Sequence, residues 1–535
     1  MKQFFKRDTA VFIISYIIIS LFYSYYKILP LRPQPYHQWR QADCLSLTYN
    51  YYDGTAGFFE PAIHQYFSDE NTSGKSAGEF PLLYYVMAKM WQVFGQSEFL
   101  YRMFTYLLCF ISLFALYKLL QELLENKFYA YIISLMVITS PVIAYYSINF
   151  LTDVPAFNLV LLGWYYYYQY FKCRKKYLFL ISVLFFALGA LLKISAGMSL
   201  IALFGIYSIE YLLVLLKFRK PTVLHYKLYE FSLFFISFLI IAAWYLYAEH
   251  YNSLHGGKYT FNGFWPIWEM DSANINRVLG FAKDFMIHQV FSFPTLIILL
   301  LMQLLLLLKK HNMFFALLNL FLFIGVLLYL ILWFNALDNH DYYLINPIIL
   351  PLAVITSFLF FLKEKYTHIF RSLSFKILLS LLLVFNIVYA SNNLKMRHWN
   401  VFNLEKSNLL PIAFKSEVDF WDYIRWGVNT NFYTIEDYNR SIGIKPNDVV
   451  ISLPDNSINI SLYLMNQKGY NNFVNKLSDS TAIIQRIHLG AKYLFISDSS
   501  VFALPHVKPF LKYPLGNYNQ SISVFDLQPY NTNEH

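Results

Sequence analysis

Charged residues are scarce in this chain. Asp, Glu, Lys and Arg make up 14% of its 535 residues, whereas hydrophobic residues make up 57% and aromatic residues 20%. Soluble globular domains usually carry about 25% charged residues, and the mean hydropathy here is +0.40. The composition excludes a water-soluble globular protein of this length and predicts a protein of the lipid bilayer.

Cysteine is also rare, and several catalytic motifs are missing. The three cysteines, Cys44, Cys109 and Cys173, are far apart and show no CxxC or zinc-finger spacing, so they indicate neither a disulfide framework nor a thiolate metal site. No HExxH, Walker loop, GxSxG or dinucleotide fingerprint occurs in a credible context. These absences argue against a zincin, an NTPase, a serine hydrolase and a Rossmann dehydrogenase.

Long apolar runs are what the chain has in abundance. Each is long enough to cross a hydrocarbon layer of about 30 Å as a helix, the open-chain form that satisfies its own backbone. The first run, Thr9 to Leu29, has no small-residue cleavage site and therefore predicts a retained anchor. We expect about eleven transmembrane helices, which begin near Thr9, Phe99, Phe128, Asp153, Tyr177, Ala196, Phe231, Phe291, Phe314, Tyr343 and Phe375.

The net charge of +10 is explained by topology rather than by nucleic acid binding. If the N-terminus is cytoplasmic and the spans alternate, the basic clusters fall on the cytoplasmic side, as the positive-inside rule requires. The clusters are Lys172 to Lys176, Lys217 to Lys220, the pair from Lys309, and Lys363 to Arg371. We therefore expect a multi-pass protein of the cytoplasmic (inner) membrane with a cytoplasmic N-terminus and no nucleic acid partner.

The predicted organisation has two parts. Residues 1–391 form the multi-span domain, with a first extracytoplasmic loop over 30–97 that contains an amphipathic interfacial helix from Phe80 to Gly95. Residues 392–535 have the composition of a soluble α/β domain, with a strand, turn and helix over 447–470 and strands over 491–498 and 521–527. An odd number of spans places this C-terminal domain outside the cytoplasm.

On the predicted topology, a second set of ionisable residues lies on the outer side of the membrane, while the middles of the apolar runs are almost free of charge. Charges are costly at membrane depth, so their positions point to function. A carboxylate at the edge of a membrane cavity can accept a proton from an attacking hydroxyl, and a cation there can neutralise an anionic leaving group. The residues at or beyond the outer ends of the spans are Arg40, Asp43, Glu79, Asp153, Lys193, His340 and Asp341.

Simpler interpretations of the acidic residues stay open at this point. Asp43 could cap a helix over the following LSLTYNYY segment or form a salt bridge with Arg40. Asp153 could cap the helix that it begins, because Thr152, Asp153 and Pro155 make a good helix start. Glu79 could interact with the dipole of the interfacial helix.

The basic candidates have simpler interpretations too. Lys193 could extend to the outer lipid headgroups. His340 could belong to a hydrogen-bonding lid or bind a metal ion together with a carboxylate, while Tyr342 and Tyr343 beside it suit an aromatic belt at the interface.

The order of these parts resembles that of a known family. An acidic first loop is followed by GEFPLLYYVMAKMWQVFGQSEFLYRM, SPVIAYYSINFLTDVPAF and GALLKISAG. This arrangement resembles the multi-span C-type (GT-C) glycosyltransferases, in particular the dolichyl-phosphate-mannose protein mannosyltransferases and the lipid A aminoarabinose transferase. The resemblance covers residues 1–220 well, is weaker as far as 391 apart from HDYY, and says little about the remainder.

The resemblance implies transfer of a sugar from a polyprenyl-phosphate donor to a lipid, glycan or protein acceptor at the outer face of the membrane, with inversion at the anomeric carbon. By the same resemblance Asp43 matches the first-loop catalytic acid, Asp153 the second-loop acid, Glu79 the acidic residue ahead of the first interfacial helix, and Lys193 a contact of the donor phosphate. We therefore expect Asp43, Asp153 and Glu79 to be catalytic, and we expect Arg40 to bind the donor phosphate together with Lys193. Many relatives carry two adjacent acids in the first loop, where this chain has QADC. That difference leaves open which residue is the base and whether a divalent metal ion, with Glu79 or His340 as ligand, takes part.

Three other classes of function fit parts of the pattern. A lipid-linked polysaccharide ligase or polymerase would share the topology and the phosphate-binding cation. A transporter or flippase would show broken spans and polar groups near the bilayer midplane, which the sequence does not show. A receptor or scaffold would not need the candidate residues to lie together.

Overall fold

In the computed structural model, residues 2–217, 228–257, 264–338, 340–402 and 428–531 are described. Most of them are helical, and a small sheet lies near the C-terminus, so the predicted fold class is confirmed. The helices of eight residues or more are Lys2–Phe22, Gln38–Tyr52, Leu82–Phe94, Glu98–Leu124, Lys127–Ile138, Asp153–Cys173, Lys176–Leu192, Met198–Leu215, Leu228–His255, Ser272–Phe281, Phe293–Leu308, Met313–Leu332, Ile349–Lys365, Leu373–Arg397 and Ser480–His488.

Helices occur near each of the eleven expected starting points, but the count of eleven spans is not confirmed. Within the described ranges, six helices are long and apolar enough to cross a membrane, or seven if a pair bent by 86° counts as one span. Others are too short: Lys127–Ile138 has 12 residues, whereas a span needs about 20. The first apolar run is divided as well, because its helix ends at Phe22 and Ser24 adopts a left-handed backbone (φ 59°) before a short second helix.

The chain divides into two compact units. The first consists of Met1–Pro30, Phe99–Trp244 and Gly263–Tyr423 and is built from the long apolar helices. In it, Asp153–Cys173 and Lys176–Leu192 form a helical hairpin that packs closely along its length. Close packing is possible because Gly163 faces the ring of Phe186 and its carbonyl accepts a hydrogen bond from Ser182 Oγ (2.8 Å).

The second unit consists of Leu31–Glu98, Tyr245–Asn262 and Ile424–His535. It contains a five-stranded sheet in the order β2-β1-β3-β5-β4, in which β1 is parallel to β2 and β3, while β5 is antiparallel to β3 and β4. Buried apolar side chains of the sheet and of the Ser480–His488 helix form its core. The strands are β1 (Val449–Leu453), β2 (Gly469–Asn471), β3 (Ala491–Ile496), β4 (Pro514–Tyr518) and β5 (Ile522–Asp526).

The first loop belongs to this second unit. Backbone hydrogen bonds join it to the start of β2, from Tyr66 N–H to the Gly469 carbonyl (2.7 Å) and from Gly469 N–H to the His64 carbonyl (3.0 Å). Phe67 of the loop is buried in the core of the sheet. The predicted domain boundary between residues 391 and 392 stays a prediction, and residues 403–427 lie outside the described part of the chain.

Candidate functional site

Asp43 lies in the second turn of the Gln38–Tyr52 helix and is almost fully buried, with 2% of its surface exposed. This helix starts before Asp43, after His37, which has a left-handed backbone (φ 52°). Gln41 fixes the turn that leads into the helix, because its side-chain amide donates to the Gln34 and Tyr36 carbonyls (3.0 and 2.7 Å). The alternative that Asp43 caps a helix over LSLTYNYY is therefore wrong.

The Asp43 carboxylate has a defined partner. Its Oδ1 accepts a hydrogen bond from Asn459 Nδ2 at 2.9 Å. Burial raises the pKa of Asp43 to about 7, although the Arg40 guanidinium and the Asn459 hydrogen bond act to lower it, and Glu79 and Asp455 add to the increase. A carboxylate with a pKa near neutrality can accept a proton at physiological pH and hold it.

Arg40 and Glu79 form an ion pair within the same unit. Glu79 is buried and lies shortly before the Leu82–Phe94 helix, whose N-cap position is Pro81. Its carboxylate thus contacts a guanidinium of the helix that also carries Asp43. The predicted roles of Glu79 in catalysis and of Arg40 in phosphate binding stay predictions.

Asp153 and Lys193 meet in the first unit. Asp153 is the first residue of the Asp153–Cys173 helix, as the sequence predicted, and Lys193 follows directly after the Lys176–Leu192 helix. The hairpin brings these two ends together, so that Lys193 Nζ lies 3.2 Å from Asp153 Oδ1. The ammonium group also lies over the rings of Tyr343 (4.9 Å) and Tyr342 (5.5 Å). A largely buried lysine held in this way can donate to an anionic group.

His340 and Asp341 differ in their surroundings. The His340 Nδ1 is 2.6 Å from the carbonyl oxygen of Asp338, and the ring lies next to Tyr342. Asp341 is fully buried and forms an ion pair with Arg397 (2.5 Å). Sequence reasoning identified His340 and Asp341 but missed Arg397.

Arg397 could have been found from its place at the end of an apolar run. It is the last residue of the Leu373–Arg397 helix, and a buried charge there requires a partner. Tyr146 is a second missed partner, because its hydroxyl donates to Asp341 Oδ1 at 2.7 Å. These contacts link three segments that are distant in sequence.

Asn459 was missed entirely. It lies in the loop after β1, at the carboxyl end of a strand with parallel neighbours on both sides. Functional residues often lie at such strand ends in α/β sheets, and that rule was the available signal.

Metal binding has no further support in the described ranges. No three His, Cys, Asp or Glu side chains gather there in a way that could hold a metal ion. Glu79 belongs to the second unit and His340 to the first. Asp43 and Arg40 are likewise in the second unit, and Asp153 and Lys193 in the first.

Comparisons with known proteins agree with the resemblance read from the sequence. Residues 77–247 match the model of the dolichyl-phosphate-mannose-protein mannosyltransferase family. This range contains Glu79, Asp153 and Lys193. Among curated protein sequences, none matches the chain.

Three solved structures share the fold. ArnT from Cupriavidus metallidurans matches in its apo state (TM-score 0.54) and bound to undecaprenyl phosphate (TM-score 0.55), each at 10% identity and with at least 98% of both chains covered. A mutant of the arabinofuranosyltransferase AftD from Mycobacteria matches with a TM-score of 0.52 at 10% identity. Here 98% of this chain aligns with 42% of the AftD chain. The chain therefore has the fold of C-type glycosyltransferases, and its apolar helices make it a multi-pass membrane protein.

Proposed function

We propose that this chain, whose fold is that of the C-type glycosyltransferases, transfers a sugar from a polyprenyl-phosphate donor to an acceptor at the outer face of the cytoplasmic membrane. The observation that carries the proposal is the combined match: the mannosyltransferase family model over residues 77–247 and the fold of ArnT over nearly the whole chain. One of the ArnT structures is bound to undecaprenyl phosphate, which supports a donor of this lipid class.

In the proposed reaction, Asp43 is the general base. The acceptor hydroxyl attacks the anomeric carbon from the face opposite the phosphate, and its proton passes to the Asp43 carboxylate. The bond between the anomeric carbon and the phosphate oxygen breaks, so the configuration inverts in a single displacement. A pKa of about 7 suits this role, because a base works best when its pKa is near the working pH.

Lys193 is proposed to hold the departing phosphate. Its ammonium group is kept in place by Asp153 and by the faces of Tyr342 and Tyr343. Negative charge increases on the phosphate as the bond to the sugar breaks, so a preorganised cation favours the transition state over the ground state. Asp153 orients this lysine, while Arg40 and Glu79 form a second charged pair beside the base.

The test uses the full chain in lipid nanodiscs with a panel of donors. The panel contains polyprenyl-phosphate hexoses, pentoses and aminopentoses and one polyprenyl-diphosphate oligosaccharide, each offered with a cell-envelope extract as acceptor. Release of polyprenyl phosphate and appearance of sugar on the acceptor are measured by mass spectrometry. We expect one monophosphate donor to be consumed and the product to have the opposite anomeric configuration by NMR.

The Asp43→Asn variant should transfer about 10² to 10⁴ times more slowly, because it cannot accept the proton. Glu60→Gln is the matched control, since Glu60 is an exposed carboxylate in the same first loop and should leave the rate unchanged. Consumption of the diphosphate donor instead would indicate a ligase or polymerase. Movement of an intact donor across the bilayer would indicate a flippase, and either result would overturn the proposal.

A further inference from the structure

The segment around Asn459 is built to hold one side-chain amide against Asp43. Asn459 is fully buried and directly precedes the short Ile460–Leu464 helix. Its partner Asp43 lies 416 residues earlier in the chain, on the Gln38–Tyr52 helix, and both residues belong to the second unit. The hydrogen bond thus connects the first loop with the α/β segment, and it does so at Asp43, the proposed general base.

The orientation of the Asn459 amide is fixed by a second hydrogen bond. The backbone N–H of Gln65 donates to Asn459 Oδ1 at 3.1 Å. A backbone N–H can only donate, so this end of the amide must be the oxygen and the end facing Asp43 must be the NH₂ group. The Asp43 carboxylate therefore faces the NH₂ group of the amide, which donates a hydrogen bond, and not the amide oxygen.

A further layer of hydrogen bonds supports this arrangement. The Gln65 side chain donates to the Ile458 carbonyl (2.9 Å) and to Asn471 Oδ1 (3.0 Å). Asp455 accepts from the backbone and the hydroxyl of Ser461 (2.9 and 2.5 Å) and from Ser457 N–H (2.8 Å). Buried networks that are satisfied in this way make a segment rigid.

We infer that Asn459 is a positioning residue for the proposed general base, and that the C-terminal α/β segment serves the reaction by holding the Asp43 carboxylate through it. This inference rests on the proposed function. A hydrogen-bond donor that faces a carboxylate favours the ionised form of the carboxylate and restricts its rotation. Within the described ranges, the charged groups that act on Asp43 are Arg40, which favours ionisation, and Glu79 and Asp455, which oppose it.

The first test replaces Asn459 with Ala. Without the hydrogen bond from Asn459, burial, Glu79 and Asp455 act against Arg40 alone, so the pKa of Asp43 should rise. The acidic limb of the pH profile of the transfer rate should move to higher pH by about one unit, and the rate at neutral pH should fall about fivefold or more. The KM for the donor should stay within about twofold, because Asn459 contacts the base and not the donor phosphate.

Asn517→Ala is the matched control. Asn517 lies on β4 of the same segment, and its exposed amide donates to Ser523 Oγ (3.2 Å). The Asn517→Ala variant should have the same pH profile of the transfer rate as the parent protein. A purely structural role for Asn459 would lower the amount of folded protein without moving the limb, and that result would overturn the inference.

A second variant, Asn459→Asp, controls for misfolding. The aspartate has nearly the same shape as the asparagine, and its carboxylate can still accept the hydrogen bond from Gln65 N–H. It places two carboxylates at hydrogen-bond distance, which then share one proton and form a weak base. Transfer should be lost at neutral pH and return as the pH rises. An unmoved profile in both variants would contradict the inference, whereas a parent chain that transfers no sugar from any donor would contradict the proposed function instead.

Discussion

At the scale of single residues, folding buries the Asp43 carboxyl group away from water, which disfavours its charged form. Its pKa is raised from 3.8 to about 7, chiefly by burial. Below about pH 4 the carboxyl group is protonated in both the folded and the unfolded chain, so it does not oppose folding. Between about pH 4 and pH 7 the unfolded chain releases this proton while the folded chain keeps it, so stability decreases over this range. Above about pH 7 the folded chain buries the charge and the loss is complete.

Because of this buried charge, we predict a pH-dependent change in the unfolding temperature of the Asp43→Asn variant, which can be measured without an activity assay. The substituted amide keeps an oxygen that can accept from the Asn459 side chain but never ionises. At pH 8 the variant should unfold roughly 2 to 6 °C above the parent, and at pH 4.5 the two should unfold within about 1 °C of each other. Thermal unfolding of both proteins in detergent across this pH range provides the measurement. A constant difference at all pH values would show that the Asp43 pKa is not raised.

The buried pair of Lys193 and Asp153 gives the second prediction. Lys193→Met leaves the Asp153 carboxylate buried without its lysine, which should destabilise the protein by about 3 to 5 kcal/mol. The double variant with Asp153→Asn should regain at least half of that stability, because no charge is left uncompensated. The double variant should still transfer no sugar. The Asp153→Asn single variant should transfer sugar faster than the double variant, because it retains the Lys193 ammonium group.

Thermal unfolding and donor turnover of the three variants separate the two roles of Lys193. If the double variant turned over donor as fast as Asp153→Asn alone, Lys193 would only neutralise Asp153. Its proposed contact with the phosphate would then be wrong.

The pairing of these two residues could have been predicted, whereas the Asn459 contact could not. Asp153 begins one helix and Lys193 follows the next, and the two helices are joined by a two-residue connection. A hairpin of this kind places both residues at the same end. No local rule predicts which side chain will meet Asp43 across 416 residues, because that contact depends on how the first loop joins the sheet.

At the scale of elements, the sheet shows which strands a sequence pattern can reveal. The buried strands β1, β3 and β5 lie inside the predicted ranges, because their apolar runs are bounded by polar turns. The strands β2 and β4 gave no such signal. β2 has three residues and begins with Gly469, and β4 begins with Pro514 and carries exposed or half-buried side chains at the edge of the sheet.

The hairpin that presents Asp153 and Lys193 yields a prediction about Gly163. A Cβ atom at this position would lie 2.7 Å from the Phe186 ring, so Gly163→Ala must push the two helices apart or move the ring. We expect a loss of about 1 to 3 kcal/mol and weaker binding of the donor phosphate, since the two helix ends separate. Unfolding temperature and the KM for the donor are the measurements.

Gly280→Ala is the control for this substitution. Gly280 is also helical, but a Cβ there would have nothing within 4 Å. The alanine should be neutral or slightly stabilising, because it favours the helix. Equal effects at both positions would show that the contact with Phe186 does not determine the packing of the hairpin.

At the scale of the whole molecule, the predicted orientation in the membrane can be tested with native cysteines. Cys173 is exposed, whereas Cys44 and Cys109 are buried. Burial also raises the pKa of the Cys44 thiol to about 12, which suppresses its reactivity. Cys173 lies within the basic cluster Lys172 to Lys176, which the positive-inside rule assigns to the cytoplasm. A membrane-impermeant maleimide should therefore label inverted membrane vesicles at Cys173 and leave intact spheroplasts unlabelled.

An added cysteine tests the opposite side in the same experiment. Asn517→Cys, made in a chain with Cys173→Ser, introduces a thiol at an exposed position of the C-terminal segment. If the segment is extracytoplasmic, this thiol should be labelled in intact spheroplasts and protected in inverted vesicles, the reverse of the Cys173 pattern. Labelling of both thiols from the same side would mean that the predicted number of crossings between them has the wrong parity. Asp43 shares its compact unit with this segment, so labelling of both thiols in inverted vesicles alone would also move the proposed base to the cytoplasmic side, where an outer-face reaction is impossible.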